Sequence, residues 1–303
     1  MCPTRGHFIR SDVADSSGVA AKEAISFEEQ LGKLKSRGLF IGDEEKCLDF
    51  LRSVNYYRFT AYLLPFKQKD GTYIPGTTFD RVFQIYEFDR KLRTLLFSII
   101  EEIELYLRSQ LAYYFAHTYG PLAHLKEEYY NGRHNHRIFM KTVDSAVKNN
   151  KNTLVVKHHA KKYKGLLPIW VIVDFMSIGN LSYFYCDWQI DDKKFIAREL
   201  FKTTYPYLDS WMKCLTVLRN RCAHYSRLYF AYFTDNPRMP KHTNYICTGR
   251  VFDHIIMLKF LYPHHDSWNV RFIAPLQALV DEYGDSIDFA HIGFPDDWMR
   301  CLV

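Results

Sequence analysis

About forty consecutive residues, from Phe79 to Tyr119, contain neither glycine nor proline, and Gly120-Pro121 closes the run. Glycine and proline are the strongest punctuation in a chain, so an uninterrupted run of this length is a helix. Thr77 and Asp80 read as a capping box at its start. At 1.5 Å per residue a straight helix here would be a rod of ~60 Å. We therefore expect a bent helix or two helices in series.

The flanking sequence is punctuated in the same way. Ser26 and Glu29 form a capping box for a short helix to Lys35, broken by Gly38 and Gly42. Asp43 caps a helix to about Tyr57, and residues 65–78, with Pro65, Gly71, Pro75 and Gly76, form a loop. Beyond Pro168, helices are expected over 169–177, 180–186, 191–202, 207–231, 251–261 and 271–283. No strand alternation and no hairpin turn stands out, so the chain reads as all-α. At 48% hydrophobic, 17% aromatic and 24% charged residues, it is neither disordered nor a coiled-coil rod. We divide it into a flexible tail (1–20), an N-terminal helical half (21–132), a basic segment (133–164) and a C-terminal helical half (165–303). The two halves are expected to form one composite domain.

Charge is concentrated in the basic segment. Between Arg133 and Lys164 stand nine Lys/Arg and one acid, Asp144, a surplus of eight; with a net charge of +6, the rest of the chain sums to −2. Arg133, Arg137, Lys157, Lys161, Lys162 and Lys164 are the candidate contacts to a polyanion such as RNA; the alternative is a solvated connection. No run of 18 apolar residues exists, and Met1–Gly18 lacks the apolar core of a signal peptide. The seven cysteines are scattered without CxxC spacing, so neither zinc nor a disulfide framework is indicated. We expect a cytoplasmic protein without cofactors or membrane contact.

Residues 207–231 give a clean helical wheel. Trp211, Leu215, Leu218, Cys222, Tyr225 and Tyr229 share one stripe; Lys213, Thr216, Asn220, His224 and Arg227 occupy the opposite face. Arg219 lies between them, about 140° from His224 at ~100° per residue. The bland reading is a capping histidine and an ion-paired arginine.

The string Leu218-Arg219-Asn220-Arg221-Cys222-Ala223-His224 resembles the Arg-Asn-x-x-x-His signature of HEPN-fold ribonucleases, and its flanks resemble the Abi-D/Abi-F-like abortive-infection proteins of bacteria. Other segments match in order: Asn55-Tyr56-Tyr57-Arg58 with Tyr62 and Pro65-Phe66; Tyr86-Glu87-Phe88-Asp89 with Leu92-Arg93; Ile103-Glu104 with Leu107-Arg108, then Tyr119-Gly120; Pro168-Ile169-Trp170; Gly179-Asn180-Leu181-Ser182; and Ile292-Gly293-Phe294-Pro295 with Trp298. The likeness covers roughly residues 26–300. It departs at Tyr229-Phe230, where Trp-Asn is more usual, which leaves the Arg–His pair intact and bears on local packing.

The resemblance implies a HEPN-like helical bundle with additional N- and C-terminal helices, commonly dimeric, that cleaves RNA without metal. The catalytic residues would be Arg219, Asn220 and His224, with Glu104, Arg108 and Arg227 as supports. Histidine can transfer protons near neutral pH, and arginine offers fixed charge and a planar fork to a phosphate. It implies a role in phage defence, with RNA as substrate and an antitoxin protein or non-coding RNA as restraint. A single imidazole for two proton transfers favours a site shared by two protomers.

Rival constellations are weaker. Glu104 and Arg108, at i, i+4, read as a structural ion pair on spacing alone. His134-x-His136, His158-His159 and His264-His265 have no carboxylate or cysteine at ligand spacing and read as surface histidines. HExxH, a phosphate-binding glycine loop and GxSxG are absent. Two functions remain: an RNA endonuclease, favoured because Arg219 and His224 are both present, and a catalytically silent HEPN protein that binds RNA or a partner protein.

Overall fold

The N-terminal helices begin at their capping side chains. The Ser26 hydroxyl accepts the Glu29 N–H and Glu29 returns the bond, opening α1 (Phe27–Ser36). Asp43 accepts the Lys46 N–H and opens α2 (Glu44–Ser53). That helix stops four residues before the expected Tyr57, because Val54 is extended and Asn55 caps a separate short helix, α3 (Tyr56–Thr60). A 3-10 turn, Ala61–Phe66, carries the chain to the loop, which therefore starts at Lys67. The computed structural model describes residues 23–241, 243 and 245–303; the tail expected over 1–20 lies outside them.

The glycine- and proline-free run forms one helix, α4 (Phe79–Tyr119), of 41 residues, rather than two in series. Nothing in it interrupts the i→i−4 ladder, and its buried side chains keep phase from Phe79 to Phe115. Its cap is Thr78, which accepts the Arg81 N–H, and not Thr77, whose hydroxyl turns back to the Ile74 carbonyl at 2.6 Å. Gly120, at φ 98°, ends it in a conformation suited to glycine.

Eight further helices follow: α5 (His136–Asn149), α6 (Leu154–Lys162), α7 (Ile169–Phe175), α8 (Ile178–Cys186), α9 (Ile190–Phe201), α10 (Tyr205–Ala223), α11 (Val251–Leu261) and α12 (Ala274–Tyr283), the last entered through a π-helical turn, Asn269–Ile273. A short α13 (Trp298–Leu302) closes the chain. The described residues hold thirteen α-helices and no strand, only three isolated β-bridges, so the protein is all-α. The central helix α4 packs against α7, α8, α10, α11 and α12. Buried side chains from Leu31 to Leu302 join in one apolar cluster.

Two corrections bear on the site. The helix expected over 207–231 ends at Ala223, and the described residues of 224–250 form no α-helix. The basic segment, in which no helix was expected, consists largely of α5 and α6. Gly293, at φ 78°, is required where it stands: a Cβ there would come within 2.7 Å of the Arg250 Cβ and clash with the Thr248 hydroxyl.

Two core histidines set a pH limit on this fold. Burial pushes His124 and His254 down from 6.5 to about 4. Between these values the unfolded chain binds up to two protons that the folded chain does not. Stability therefore rises with pH across that window and is lost as pH falls from about 6.5 towards 4, by ~1.4 kcal/mol per pH unit for each proton. His254 packs on Phe233 with ring centroids 4.0 Å apart, a contact that phenylalanine can keep. His254→Phe should lower the slope of stability against pH in urea unfolding between pH 5 and 6; an unchanged slope would clear His254 of this role.

Candidate active site

The end of α10 is built without glycine or proline. The Ser226 N–H bonds the Arg221 carbonyl at 2.8 Å and the Tyr225 N–H bonds the Cys222 carbonyl at 3.2 Å. These are the paired bonds of a Schellman motif, which places Tyr225 at φ 57°, in the left-handed region usually given to glycine. His224 takes the C-cap position, its N–H on the Asn220 carbonyl at 3.0 Å.

Contacts distant in sequence fix this terminus. Arg58, on α3, donates to the Tyr225 carbonyl, and Arg227 donates back to the Ala61 carbonyl at 2.7 Å. Beneath them, Asp89 of α4 is fully buried. It accepts from the Tyr62 hydroxyl (2.6 Å), from Arg93, and from the backbone N–H groups of Leu228 (3.1 Å) and Tyr229 (2.8 Å). Burial raises the Asp89 carboxyl above its ordinary value, while Arg93 and the other three donors draw it back. Burial also raises the Tyr62 phenol, which stays protonated and so donates.

A second carboxylate lies further along α4. Glu104 pairs with Arg108 and lies 3.4 Å from the Arg219 Nε, without a hydrogen bond between them. Arg108 is held by the carbonyls of Val173 and, at 2.8 Å, Met176, at the end of α7. The Arg219 guanidinium carbon lies 5.9 Å from the centre of the Phe97 ring. Arg219, Glu104 and Arg108 thus meet. The side chains of Asn220 and His224 are exposed and form no hydrogen bond with any described residue.

Other expected positions move. Tyr225, assigned to the apolar stripe, is 69% exposed, because the helix ends before it and its backbone turns outward. Tyr229 is buried as expected, but off the helix; its hydroxyl accepts the Asp288 N–H at 2.9 Å and lies 2.9 Å from the His291 Nδ1. Arg227 does not join a row with His224, since it turns back onto the 3-10 segment. Lys213, on the polar face, is paired with Asp235 at 2.5 Å.

In the basic segment the six candidate side chains, Arg133, Arg137, Lys157, Lys161, Lys162 and Lys164, are exposed, and none forms an ion pair with a described carboxylate. His134 is no surface histidine: it is buried against Asp187 at 2.8 Å and stacks on Tyr130. Among the described residues no three His, Cys, Asp or Glu side chains are grouped to hold a metal ion. Burial pushes the Cys222 thiol up to about 12, so it does not act as a thiolate beside His224. Asp89, Arg93, Arg58 and Tyr62 carry the architecture here, and sequence reasoning assigned them no role. Their one signal was their place in the ordered motifs Asn55–Tyr62 and Tyr86–Arg93.

The chain is all-helical, and Arg219 and His224 stand near the end of a helix whose terminus is held by contacts distant in sequence. The family model described as Abi-like protein matches residues 49–230, and the chain belongs to this abortive-infection family. The matched span contains every residue of the locked terminus described above. No curated protein and no solved structure matches the chain. No helix among the described residues is long and apolar enough to cross a membrane.

The buried lock can be broken singly. Asp89→Asn leaves Arg93 buried without a counterion and removes an acceptor from the turn after α10. We predict a loss of about 3–5 kcal/mol in urea unfolding, partly recovered in Asp89→Asn/Arg93→Leu.

Proposed function

We propose that this chain is a HEPN-type RNA endonuclease of a bacterial defence system, with Arg219 and His224 as its reacting pair. The observation that carries this reading is Arg219, which shares the single carboxylate of Glu104 with Arg108, five residues before the exposed His224 that caps the same helix. Two guanidiniums against one carboxylate leave a positive charge for a phosphate.

RNA supplies its own nucleophile. The 2′-oxygen attacks the adjacent phosphorus as its proton passes to a base, and the P–O5′ bond breaks as the leaving oxygen takes a proton. The products are a 2′,3′-cyclic phosphate and a 5′-hydroxyl. His224 serves the proton transfers, Arg219 the charge growing on the phosphorane oxygens, and Asn220 a hydrogen bond to the phosphate or to His224. Glu104 and Arg108 hold Arg219, and Arg227 holds the turn. Two transfers against one imidazole support a homodimer with a shared site, by the isologous contact commonest in homo-oligomers. The exposed cations of α5 and α6 supply the sequence-independent attraction for RNA, as substrate or as restraint; an antitoxin protein is the other means of restraint.

Two outcomes test this reading. RNA cleavage should persist in EDTA and disappear in His224→Ala and Arg219→Ala. With subunit exchange verified by mass, an excess of His224→Ala chains should lower activity well below the wild-type fraction. Cleavage that survives His224→Ala would remove the assignment, and binding without cleavage would leave the silent RNA- or protein-binding alternative. Separately, replacing Lys157, Lys161, Lys162 and Lys164 by Gln should weaken binding to many sequences alike, and each lost phosphate contact should lower the salt slope by about 0.7–0.9. An unchanged slope would free these lysines from RNA.

A further inference from the structure

A cleft of about 650 Å³ opens between three elements: the α2–α3 junction, the face of α4 from Tyr86 to Phe97, and the terminus of α10 from Cys222 to Tyr225. Its walls carry the guanidiniums of Arg58, Arg90 and Arg93 and the rings of Tyr86, Phe97 and Tyr225, and no carboxylate residue lines it. Arg93 is committed to Asp89 and Arg90 to Glu87 at 2.8 Å, whereas Arg58 has no carboxylate partner and holds only the Tyr225 carbonyl. The cleft adjoins the reacting pair at two points: Phe97 carries the Arg219 contact, and Ala223 and Tyr225 flank His224.

Tyr225 is the informative residue. It is the only residue lining this cleft that is held at positive φ, and its ring is 69% exposed. Glycine or asparagine would end the helix with less strain. The left-handed backbone sets where the ring stands, and its exposed face borders the cleft and is open to a ligand.

We propose that this cleft is a nucleotide subsite, in which one base of single-stranded RNA stacks on Tyr225 and Phe97 while Arg58 meets its phosphate. This rests on the reading of Arg219 and His224 as the cleavage pair and adds which residues position the neighbouring nucleotide. Rings give every base a stacking face, and guanidiniums match phosphate. The volume falls within the range of small-ligand sites.

The probe is a tetraribonucleotide with 2′-O-methyl groups throughout and one 2-aminopurine base. It lacks the nucleophilic 2′-hydroxyl, so binding is read apart from cleavage. The protein should bind it and quench the 2-aminopurine fluorescence by stacking. Tyr225→Gly, which suits the left-handed backbone, should keep or raise the Tm yet weaken binding about tenfold or more and abolish the quench. Tyr225→Asn, also tolerated at that φ, should do the same, and Arg58→Gln should lower the salt slope of binding by about 0.7. Binding without quenching, or quenching unchanged in both Tyr225 variants, overturns the subsite, even where RNA is cleaved. Quenching lost in both Tyr225 variants supports it, even where no RNA is cleaved and the nuclease reading falls.

Discussion

A carboxylate with no exposure to water holds the candidate site in place. Asp89 gathers a phenol, a guanidinium and two backbone N–H groups. Three of these donors come from outside its own helix, so the acid ties α4 to the 3-10 turn on one side and to the turn after α10 on the other. Satisfied in this way, a buried charge specifies one arrangement; with any donor missing it would be a liability. The lock acts on backbone, at Leu228 and Tyr229, and thereby fixes where α10 stops. Where α10 stops decides which side chains its last turn presents.

The length of α4 makes that lock relevant to chemistry. Asp89 and Glu104 stand on one unbroken helix, about 22 Å apart along its axis at 1.5 Å per residue. The first holds the turn beyond α10, and the second lies beside Arg219 on its last turns. Phe97, between them, carries the Arg219 guanidinium. Because one rigid element sets all three points, the position of Arg219 relative to His224 is governed by helix geometry rather than by loop conformation. Arg108 extends the same frame to α7, against which α5 packs, so the first of the basic helices is joined to the site through one layer.

What the sequence disclosed follows from how local each signal was. The run from Phe79 to Tyr119 and the Ser26–Glu29 box were legible because glycine, proline and capping side chains act within a turn of where they stand. The all-α class followed from the same signals. The end of α10 was illegible for the opposite reason. No residue near Ala223 breaks a helix, and the stop is imposed by Asp89, more than a hundred positions away, and by Arg58. The wheel drawn through Tyr225, Arg227 and Tyr229 therefore extrapolated a helix that tertiary contacts end. The buried place of His134 was hidden similarly, since Asp187 and Tyr130 meet it only in the folded chain. Arg219, Asn220 and His224 came from a motif rather than from periodicity, and the pairing of Arg219 with Glu104 became visible only once α4 and α10 were packed.

The strained turn and the unequal charge count point to the same surface. A helix end closed by tyrosine instead of glycine costs conformational energy at a position where no packing is gained. Two arginines sharing one glutamate leave an uncompensated cation beside it. A negatively charged ligand would balance the surplus cation, and a planar one would cover the exposed Tyr225 ring. Lys202 closes α9 in the same left-handed conformation, so the adjoining cleft and the surplus of guanidiniums, rather than the turn alone, mark this surface. Tyr225 next to His224, and Arg219 five residues before it, put both features at the end of α10, where the proposed ligand would sit.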